Sequence, residues 1–298
     1  MSERSSSIPQ PEREGTLELS DGRVLGYAEY GPRDGEPLLF FHGTPGSRYT
    51  RVPETSILDE RGVRQVTLER PGFGRSTYDG ERELLDWPDD VSEAADALGF
   101  DRFAVAGSSG GGPFALACGA RIPERLTGAG VVGGLGPLDA PGATEGMELT
   151  NRIGFKLATV PLVLRPFLWR RIRKIRRDPE GFVDAWAESA ADPDARILQQ
   201  PDVRAVFCQN FPEAVRQGTK APLYETRLHV RPWGFDLADI PVHVHVWHGG
   251  RDAFTPVSMA RHVADEIPSS SAHIYPDEGH LLHYEYWDEM LSTLALAA

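Results

Sequence analysis

Short, uninterrupted apolar runs alternate with helix-like stretches along most of this chain. Residues 37–41 (PLLFF) and 103–106 (FAVA) contain no polar side chain, which is typical of strands buried on both faces of a sheet. Further β-rich runs lie at residues 16–20, 23–30, 64–68, 127–132, 242–247 and 272–275. Strands that alternate with helices form a mostly parallel sheet with helices on both faces. The sequence therefore predicts the α/β class.

Local signals mark where several elements begin and end. Asp21-Gly22, between the first two strands, predicts a hairpin turn. Asp89 or Asp90 is expected to cap a helix whose apolar residues follow the helical period, namely Val91, Ala94, Ala95 and Leu98. Other helices are predicted up to about residue 61, up to about residue 121, over 257–267 and at the C-terminal end.

The alternation stops over residues 137–235, a stretch with several apolar helical segments and no clear strand. We therefore expect an α/β core made of residues 15–136 and 236–298, with a helical cap of residues 137–235 inserted into it. Residues 1–14 are polar, charged and rich in Ser and Pro, and are predicted to form a flexible tail. An insertion at this point lies at the strand ends, where open α/β sheets bind ligands.

Composition excludes several classes of partner. The net charge of −13 opposes a general attraction to nucleic acid or to an anionic membrane. No segment offers about 18 uncharged apolar residues, so no stable membrane association is expected. The two cysteines, Cys118 and Cys208, are far apart, and we expect them to be reduced and the protein to be cytoplasmic. A homo-oligomer is left open.

Residues 107–111 (GSSGG) match the pattern G-x-S-x-G, with Ser109 at its centre. The motif lies between a buried strand and a helix, which is the setting of a nucleophile elbow. The serine there occupies a strained turn, so the residues two positions away must be nearly free of side chains. Gly107 and Gly111 meet that demand, and Ser109 is predicted to be a nucleophile. A phosphate-binding loop is disfavoured because no Gly-Lys-Ser/Thr follows.

A serine hydroxyl needs a base, and the base needs a carboxylate that orients it. In this architecture the acid and then the histidine follow the serine in loops after late strands. Asp252 follows the strand that ends at Trp247, and His280 follows the last strand. Ser109, Asp252 and His280 should therefore meet at one edge of the sheet.

Other residues compete for these roles. His283 is an alternative base inside the terminal helix, and Asp139 is an alternative acid. His248 is expected to be structural, at a strand end. His243 and His245 alternate with valines but lack a third ligand, so no metal is predicted.

An acyl-transfer site also needs donors for the oxyanion that develops on the substrate. The backbone N–H of Gly110 is the first candidate, since it follows the nucleophile. The backbone N–H of Thr44, in the loop after an early strand, is the second. The N-terminus of the helix that follows Ser109 should also favour negative charge.

Taken together, these motifs resemble the α/β-hydrolase superfamily over the whole predicted core. The matching segments are residues 42–46 (HGTPG), 69–76 (ERPGFGRS), 107–111, 248–252 (HGGRD) and 279–280. In detail the chain is similar to capped, single-chain bacterial hydrolases, a group of esterases, proline iminopeptidase-like peptidases, carbon–carbon bond hydrolases and cofactor-free haloperoxidases. The resemblance implies an eight-stranded, mostly parallel sheet with the cap inserted after strand 6.

The chain departs from parts of that group. Glu69 stands where Asp is commoner. Proline iminopeptidases usually carry His-Gly-Gly-Pro-Gly and a large aromatic residue after the serine, whereas Thr44 and Gly110 stand at those positions here. Haloalkane dehalogenases and most epoxide hydrolases use Asp where Ser109 stands, which disfavours those activities.

The cap contains features that bear on specificity. Residues 153–169 are apolar but include Pro161 and Pro166, so they cannot form one straight helix. Residues 170–177 (RRIRKIRR) are strongly basic, and we interpret them as the solvated face of a cap helix rather than as a site for an anionic substrate or a membrane. The aromatic residues that could line an acyl pocket are Trp169, Trp186, Phe207, Phe211 and Trp233.

The sequence thus predicts a serine hydrolase that acts on a small molecule, most simply a carboxylic ester, with no metal or organic cofactor. Carbon–carbon, amide or lactone cleavage and perhydrolysis on the same three residues remain alternatives. A ligand receptor that retains the fold is the rival from a different class.

Overall fold

A computed structural model describes residues 8–295 of the chain. Its centre is one eight-stranded sheet. The strands are β1 (Arg13–Glu18), β2 (Val24–Tyr30), β3 (Glu36–Phe41), β4 (Val63–Leu68), β5 (Phe103–Ser108), β6 (Leu126–Val132), β7 (Val244–Gly249) and β8 (Ser270–Tyr275). Their order across the sheet is β1-β2-β4-β3-β5-β6-β7-β8. The pairs β1–β2 and β2–β4 are antiparallel and the other pairs are parallel. The predicted α/β class and eight-stranded sheet are confirmed.

The first strand begins earlier than the sequence suggested. β1 begins at Arg13, so the last two residues assigned to the tail belong to the sheet, and Glu14 pairs with Ala28. The predicted turn is present, because Gly22 has a φ of 83° and its N–H donates to the Leu19 carbonyl. Of the rest of the predicted tail, residues 1–7 lie outside the described residues.

The helices follow the strands in the expected alternation. They are α1 (Ser56–Arg61), α2 (Trp87–Leu98), α3 (Gly112–Arg121), α4 (Leu149–Leu157), α5 (Pro161–Arg177), α6 (Pro179–Ser189), α7 (Asp192–Leu198), α8 (Pro201–Ala214), α9 (Lys220–His229), α10 (Val257–Glu266) and α11 (His283–Ala295). The predicted cap of α2 is wrong, because the helix already begins at Trp87. Asp90 is instead buried inside the helix and forms an ion pair of 2.6 Å with Arg23.

Two apolar layers sandwich the sheet. One face packs against α2, α3 and α10, with Phe103, Val105 and Val246 at its centre. The other face packs against α1 and α11, where Trp287 meets Phe40 edge to face with ring centroids 5.4 Å apart. The continuous apolar strands β3 and β5 are therefore buried on both faces, as their composition requires.

Residues 133–243, between β6 and β7, form six α-helices, α4 to α9, and no strand. Helices α5 to α8 share an apolar cluster of their own, which includes Ile175, Val183 and Phe211. The predicted break within residues 153–169 falls between α4 and α5, and α5 begins at Pro161. Pro166, however, lies inside α5.

Among the described residues, no helix combines the length and the apolarity that crossing a bilayer requires. Both cysteines carry free thiols. Cys118 is buried, which raises the pKa of its thiol, and Cys208 is partly buried.

Candidate active site

The parallel strands bring the candidate residues to one edge of the sheet. β3, β5, β7 and β8 point the same way, and each ends just before a candidate segment. Thr44 follows β3, Ser109 follows β5, Asp252 follows β7 and His280 follows β8. The geometry of parallel strands is therefore what places these distant residues beside one another.

Ser109 lies on a strained turn between β5 and α3. Its φ is 53°, and it is the only described residue other than glycine with a positive φ. A Cβ atom on Gly107 would lie 2.2 Å from the Gly111 carbonyl oxygen, and one on Gly111 would lie 2.2 Å from the Phe41 carbonyl oxygen. Both positions are therefore restricted to glycine, which is the physical reason for the G-x-S-x-G spacing.

Asp252 and His280 form a buried hydrogen-bonded pair. Asp252 Oδ2 lies 2.7 Å from His280 Nδ1. The same carboxylate accepts the Thr255 hydroxyl at 2.7 Å and the backbone N–H groups of Phe254 and Thr255 at 2.8 and 2.9 Å. With its carboxylate fixed in this way, Asp252 holds the proton of His280 on Nδ1 and leaves Nε2 as the proton acceptor.

The pair also sets the ionisation of the imidazole. Burial acts to lower the pKa of His280, but the adjacent Asp252 carboxylate outweighs burial, and the pKa lies above its ordinary value of 6.5. For Asp252, burial acts to raise the pKa, but His280, His248 and the Thr255 N–H together lower it by more, so the carboxyl stays ionised at neutral pH. This is the electrostatic arrangement that stabilises an imidazolium formed during a reaction.

Ser109 and His280 line the same cavity of about 250 Å³. The described residues contain no hydrogen bond between the Ser109 hydroxyl and the His280 ring. In proteins without a bound substrate, the bond between a nucleophile and its base is commonly long. The structure therefore brings acid and base into contact and places the serine in the same cavity.

Thr44 and Gly110 lie side by side at this cavity. A Cβ on Gly110 would lie 2.3 Å from Thr44 Oγ1, and a Cβ on Gly43 would lie 3.3 Å from Ser109 Cβ. The two loops are therefore closely packed around the serine, with the backbone of both residues at the cavity wall. Both residues therefore lie beside Ser109 at the cavity, as the sequence predicted.

A buried charge network behind these loops escaped the sequence analysis. Glu225, on α9, receives hydrogen bonds of 2.8 and 2.6 Å from Nε and Nη2 of Arg70. Its carboxylate also receives a hydrogen bond of 3.1 Å from Arg82 and one of 2.6 Å from the Thr44 hydroxyl. All three charged side chains are buried, and two guanidinium groups face one carboxylate. The network fixes the Thr44 side chain and leaves an excess of positive charge behind it.

Two buried histidines complete this region as neutral groups. Burial, reinforced by Arg70, lowers the pKa of His42 to about 3. Burial also lowers the pKa of His229 to about 4, although Glu225 acts in the opposite direction. His229 Nε2 lies 3.1 Å from the Gly110 carbonyl oxygen, so it contacts the residue that follows the nucleophile.

Asp194, on α7, is a second residue that sequence reasoning missed. Its buried carboxylate accepts the backbone N–H of His280 at 3.0 Å and that of Leu281 at 2.7 Å. A Cβ on Gly279 would lie 2.5 Å from this carboxylate. The helical segment between β6 and β7 therefore anchors the loop that carries His280.

The competing candidates lie elsewhere or have other partners. Asp139 is exposed, and Asp252 is the carboxylate that contacts His280. His283 lines the cavity, but burial lowers its pKa to about 3 and its Nδ1 has no partner among the described residues. His248 lies on the other side of Asp252, with Nε2 at 3.4 Å from Asp252 Oδ2 and at 2.6 Å from the Thr255 carbonyl oxygen, and it is not among the residues that line the cavity. The two ring nitrogens of His243 contact the hydroxyls of Ser269 and Ser271, at 2.8 and 2.9 Å.

Among the described residues, no group of three or more His, Cys, Asp or Glu side chains is arranged to hold a metal ion. The aromatic candidates divide into two sets. Trp186, Phe207 and Phe211 line the cavity. Trp169 is exposed, and Trp233 packs in the core beside the sheet, so the prediction that these two could line the pocket is wrong.

The cavity wall is largely apolar, and no Asp or Glu is found among the described residues that line it. Arg171 is the one Lys or Arg that the structure describes in that wall, and its guanidinium lies 5.3 Å from the centre of the Phe182 ring. Asp252 stays behind His280 and does not line the cavity. The cavity therefore combines a serine hydroxyl, an imidazole and apolar surface, and no described carboxylate lines it.

Comparison with known proteins supports the fold and the family. A sequence model of the alpha/beta hydrolase family matches residues 38–293. The 2-hydroxymuconate semialdehyde hydrolase of Pseudomonas putida is 26% identical over 259 residues, which are 85% of this chain and 83% of that protein. The proline iminopeptidase of Arabidopsis thaliana is 30% identical over 122 residues, 40% of this chain and 32% of that protein. The chain thus spans about a third of the length of this second relative.

Solved structures with a similar fold cover almost the whole chain. A hydrolase from Pseudomonas aeruginosa PA01 superposes with a TM-score of 0.70 at 18% identity, covering 96% of this chain and 98% of that one. An esterase from Rhodococcus sp. ECU1013 gives a TM-score of 0.66 at 20% identity, covering 95% and 97%. At these identities the likeness concerns the fold.

Proposed function

The chain belongs to the alpha/beta hydrolase family, and on that premise we propose that it is a serine hydrolase that cleaves a carboxylic ester through an acyl-enzyme. The observation that carries the proposal is the 2.7 Å contact between the buried Asp252 and His280, which lines a cavity together with Ser109 on its strained turn. A structural histidine would not need a buried acid behind it and a constrained hydroxyl in the same cavity.

In the proposed reaction, Ser109 Oγ attacks the ester carbonyl while Nε2 of His280 takes the hydroxyl proton. Asp252 stabilises the imidazolium that results. The backbone N–H groups of Thr44 and Gly110 hold the oxyanion, and His280 returns its proton to the leaving alcohol. Water activated by His280 then attacks the acyl-enzyme and releases the acid.

The cavity wall supports a substrate with an apolar acyl or alcohol part. Trp186, Phe207 and Phe211 form an edge-to-face and stacked aromatic cluster, with ring centroids 5.1 to 5.8 Å apart. These rings come from α6 and α8. We propose that residues 137–235 act as a cap that covers the site and excludes water from the acyl-enzyme.

Two observations disfavour an aminopeptidase. A free amino group on the substrate would find no carboxylate among the residues that line the cavity. In addition, a side chain after the nucleophile would collide with Thr44, whose Oγ1 lies 2.3 Å from a Cβ built on Gly110. The two departures from the iminopeptidase pattern are therefore coupled, because Thr44 occupies the space that a larger residue at position 110 would need.

Carbon–carbon bond hydrolysis is the second candidate. Two hydrolases of this kind align with 85% of the chain, the Pseudomonas putida relative and the 2-hydroxy-6-oxo-6-phenylhexa-2,4-dienoate hydrolase of Burkholderia cepacia, which is 27% identical. Turnover of that dienoate at a rate above the turnover of simple esters would favour this candidate.

We further infer that the protein works in the cytoplasm. Its two cysteines are free thiols, as is usual in a reducing compartment. Cofractionation of the tagged protein with a cytoplasmic marker would support this inference, and recovery of the protein from the medium would contradict it.

The proposed function is tested by the hydrolysis of short-chain p-nitrophenyl esters. Replacing Ser109 with Ala should lower kcat/KM by roughly three orders of magnitude or more, because the nucleophile is removed. The neighbouring Ser108→Ala variant, the matched control, also removes one serine hydroxyl and should have a far smaller effect. Equal turnover by the wild type and Ser109→Ala would contradict the proposal and favour a non-catalytic ligand receptor.

A further inference from the structure

All the large apolar side chains that are exposed in the described part of the chain lie on α4, α5 and the turn between them. They are Leu149, Ile153, Val160, Leu162, Val163, Phe167 and Trp169, with Leu162 at 87% exposure and Trp169 at 53%. An apolar patch confined to one segment marks an interaction surface, whereas scattered single residues would need no explanation.

A cationic cluster continues directly from this patch. Helix α5 carries seven basic residues and no acidic one, namely Arg165, Arg170, Arg171, Arg173, Lys174, Arg176 and Arg177. None of the seven forms an ion pair within the described residues. Two of them have other partners. Arg173 lies 5.2 Å from the centre of the Trp169 ring, and Arg176 donates a hydrogen bond to the Arg216 carbonyl.

Ordinary helix stability explains only part of this pattern. Basic side chains near the C-terminus of a helix are favoured by the helix dipole, which accounts for the position of residues 170–177. The dipole does not account for Leu162, Phe167 and Trp169. If these positions faced only water, polar side chains would serve there equally well. The combination of exposed aromatic and aliphatic residues with unneutralised cations is characteristic of a helix that lies in a membrane interface.

A second copy of the chain fits the surface poorly. In a two-fold contact the same patch meets itself, which would bring the seven cations of one α5 toward the seven of the other. A head-to-tail contact needs an apolar counterpart, and the described part of the chain exposes no large apolar residue outside this patch.

We propose that this surface, residues 149–177, docks the protein reversibly on an anionic lipid bilayer rather than serving only as a solvated helix face. The net charge of −13 opposes a general attraction to such a bilayer, but the cluster on α5 is locally cationic and charges act mainly within a Debye length. Leu162, Val163 and Trp169 would enter the headgroup region, and the cations of residues 170–177 would bind the lipid phosphates. Phe167 and Arg171 belong both to this surface and to the cavity wall around Ser109. The bilayer would therefore lie at the mouth of the cavity, and a substrate dissolved in it could enter directly.

The proposal is tested by cosedimentation of the wild-type protein with vesicles of phosphatidylglycerol and phosphatidylcholine. Binding to the anionic vesicles is expected in about 0.1 M salt and should be strongly reduced in about 1 M salt, where the Debye length falls to about 3 Å. Vesicles of phosphatidylcholine alone should bind weakly. Trp169 is the only exposed tryptophan of the six, so its emission should shift to the blue on binding and the shift should be absent in Trp169→Phe.

Two sets of variants separate the apolar from the electrostatic contribution. The triple variant R170E/R173E/K174E should lower the partition coefficient by at least about 100-fold, because each basic residue near the surface contributes ~1 kcal/mol. The variant L162S/W169S should also reduce binding. A matched control, R33E/R231E/R261E, makes the same change in net charge at exposed arginines outside α4 and α5 and should bind nearly as well as the wild type.

Failure to bind anionic vesicles at low salt would overturn the proposal, and so would equal losses in the α5 variants and the control. Self-association that L162S/W169S abolishes, without vesicle binding, would instead assign the surface to contacts between copies. Binding involves no bond cleavage, and Ser109→Ala should dock like the wild type. The outcome is therefore independent of the proposed esterase reaction.

Discussion

At the scale of single residues, the proposed catalysis depends on one imidazole in the right protonation state. His280 must be neutral to accept the proton of Ser109, yet the Asp252 carboxylate favours its charged form and raises its pKa above 6.5. The same carboxylate that improves His280 as a base therefore also moves the lower pH limit of activity upward. The two effects have one cause and cannot be tuned separately.

This coupling predicts the pH dependence of ester hydrolysis. The value of kcat/KM should fall as the pH decreases through the pKa of free His280, with a midpoint above the ordinary 6.5. Asp252→Asn should move that midpoint to lower pH and should also lower the maximal rate by several orders of magnitude, because the imidazolium loses its partner. Rates measured over a wide pH range check both effects. A midpoint that stays fixed in Asp252→Asn would show that Asp252 does not act on the base.

At the scale of helices and strands, the sequence was informative wherever local pattern determines structure. The apolar and β-rich runs predicted the location of each strand, and the glycines flanking Ser109 predicted the turn, because sheet burial and steric collision act on neighbouring residues. Element ends were less accurate, as at Arg13 and at the beginning of α2, since strand pairing and Pro88 decide them.

Contacts between distant elements were not predictable in the same way. Glu225 and Asp194 act on loops more than 80 residues away in the sequence, and no local period reveals such partners. One signal for Glu225 was present: in α9 it lies on the face that buries Ala221, Leu228 and His229. A carboxylate on the buried face of an amphipathic helix indicates a buried cationic partner.

The Glu225 network predicts a large loss of stability on removal of its charge. Glu225→Gln leaves Arg70 and Arg82 without a carboxylate in the interior, and should lower the free energy of unfolding by about 3–5 kcal/mol. Urea denaturation measures the change, and Glu188→Gln, at an exposed position, is the matched control. A loss no larger than that of the control would show that the two arginines are neutralised elsewhere.

The same residue should contribute to acid unfolding. Burial acts to raise the pKa of Glu225, but Arg70 and Arg82 hold it at about 2, below the ordinary 4.5. Its contribution to stability is therefore complete above pH 4.5 and is lost as the pH falls through about 2. Glu225→Gln should lack this part of the pH dependence.

At the scale of the whole molecule, the helical segment between β6 and β7 is joined to the rest of the chain by buried polar contacts. Glu225 reaches Arg70, Asp194 reaches the His280 loop, and Asn210 accepts the Ser47 N–H at 2.9 Å. Partners of this kind are costly to separate, because each leaves an unsatisfied group in the interior. The helices that would cover the substrate in the proposed mechanism therefore also hold the His280 loop and the Thr44 side chain in place.

Asp194 provides the direct test of this coupling. Asp194→Ala should lower kcat more than it changes KM, because two buried N–H groups at His280 and Leu281 lose their acceptor and the base is displaced. It should also move the acid limb of the pH profile to lower pH, since Asp194 helps to raise the pKa of His280. Asp194→Asn, which retains one acceptor oxygen, should be intermediate. Asp265→Ala, at an exposed position, should behave like the wild type; an unchanged pH profile in Asp194→Ala would contradict the positioning role.

The central claim is that Ser109 is a nucleophile activated by His280, and covalent labelling addresses it most directly. The protein is treated with an alkyl fluorophosphonate, and its intact mass and peptides are measured. We predict a single adduct on Ser109 in the wild type, strongly slowed labelling in His280→Ala and no adduct in Ser109→Ala. A folded protein that remains unlabelled, or that carries its adduct on another residue, would contradict the account.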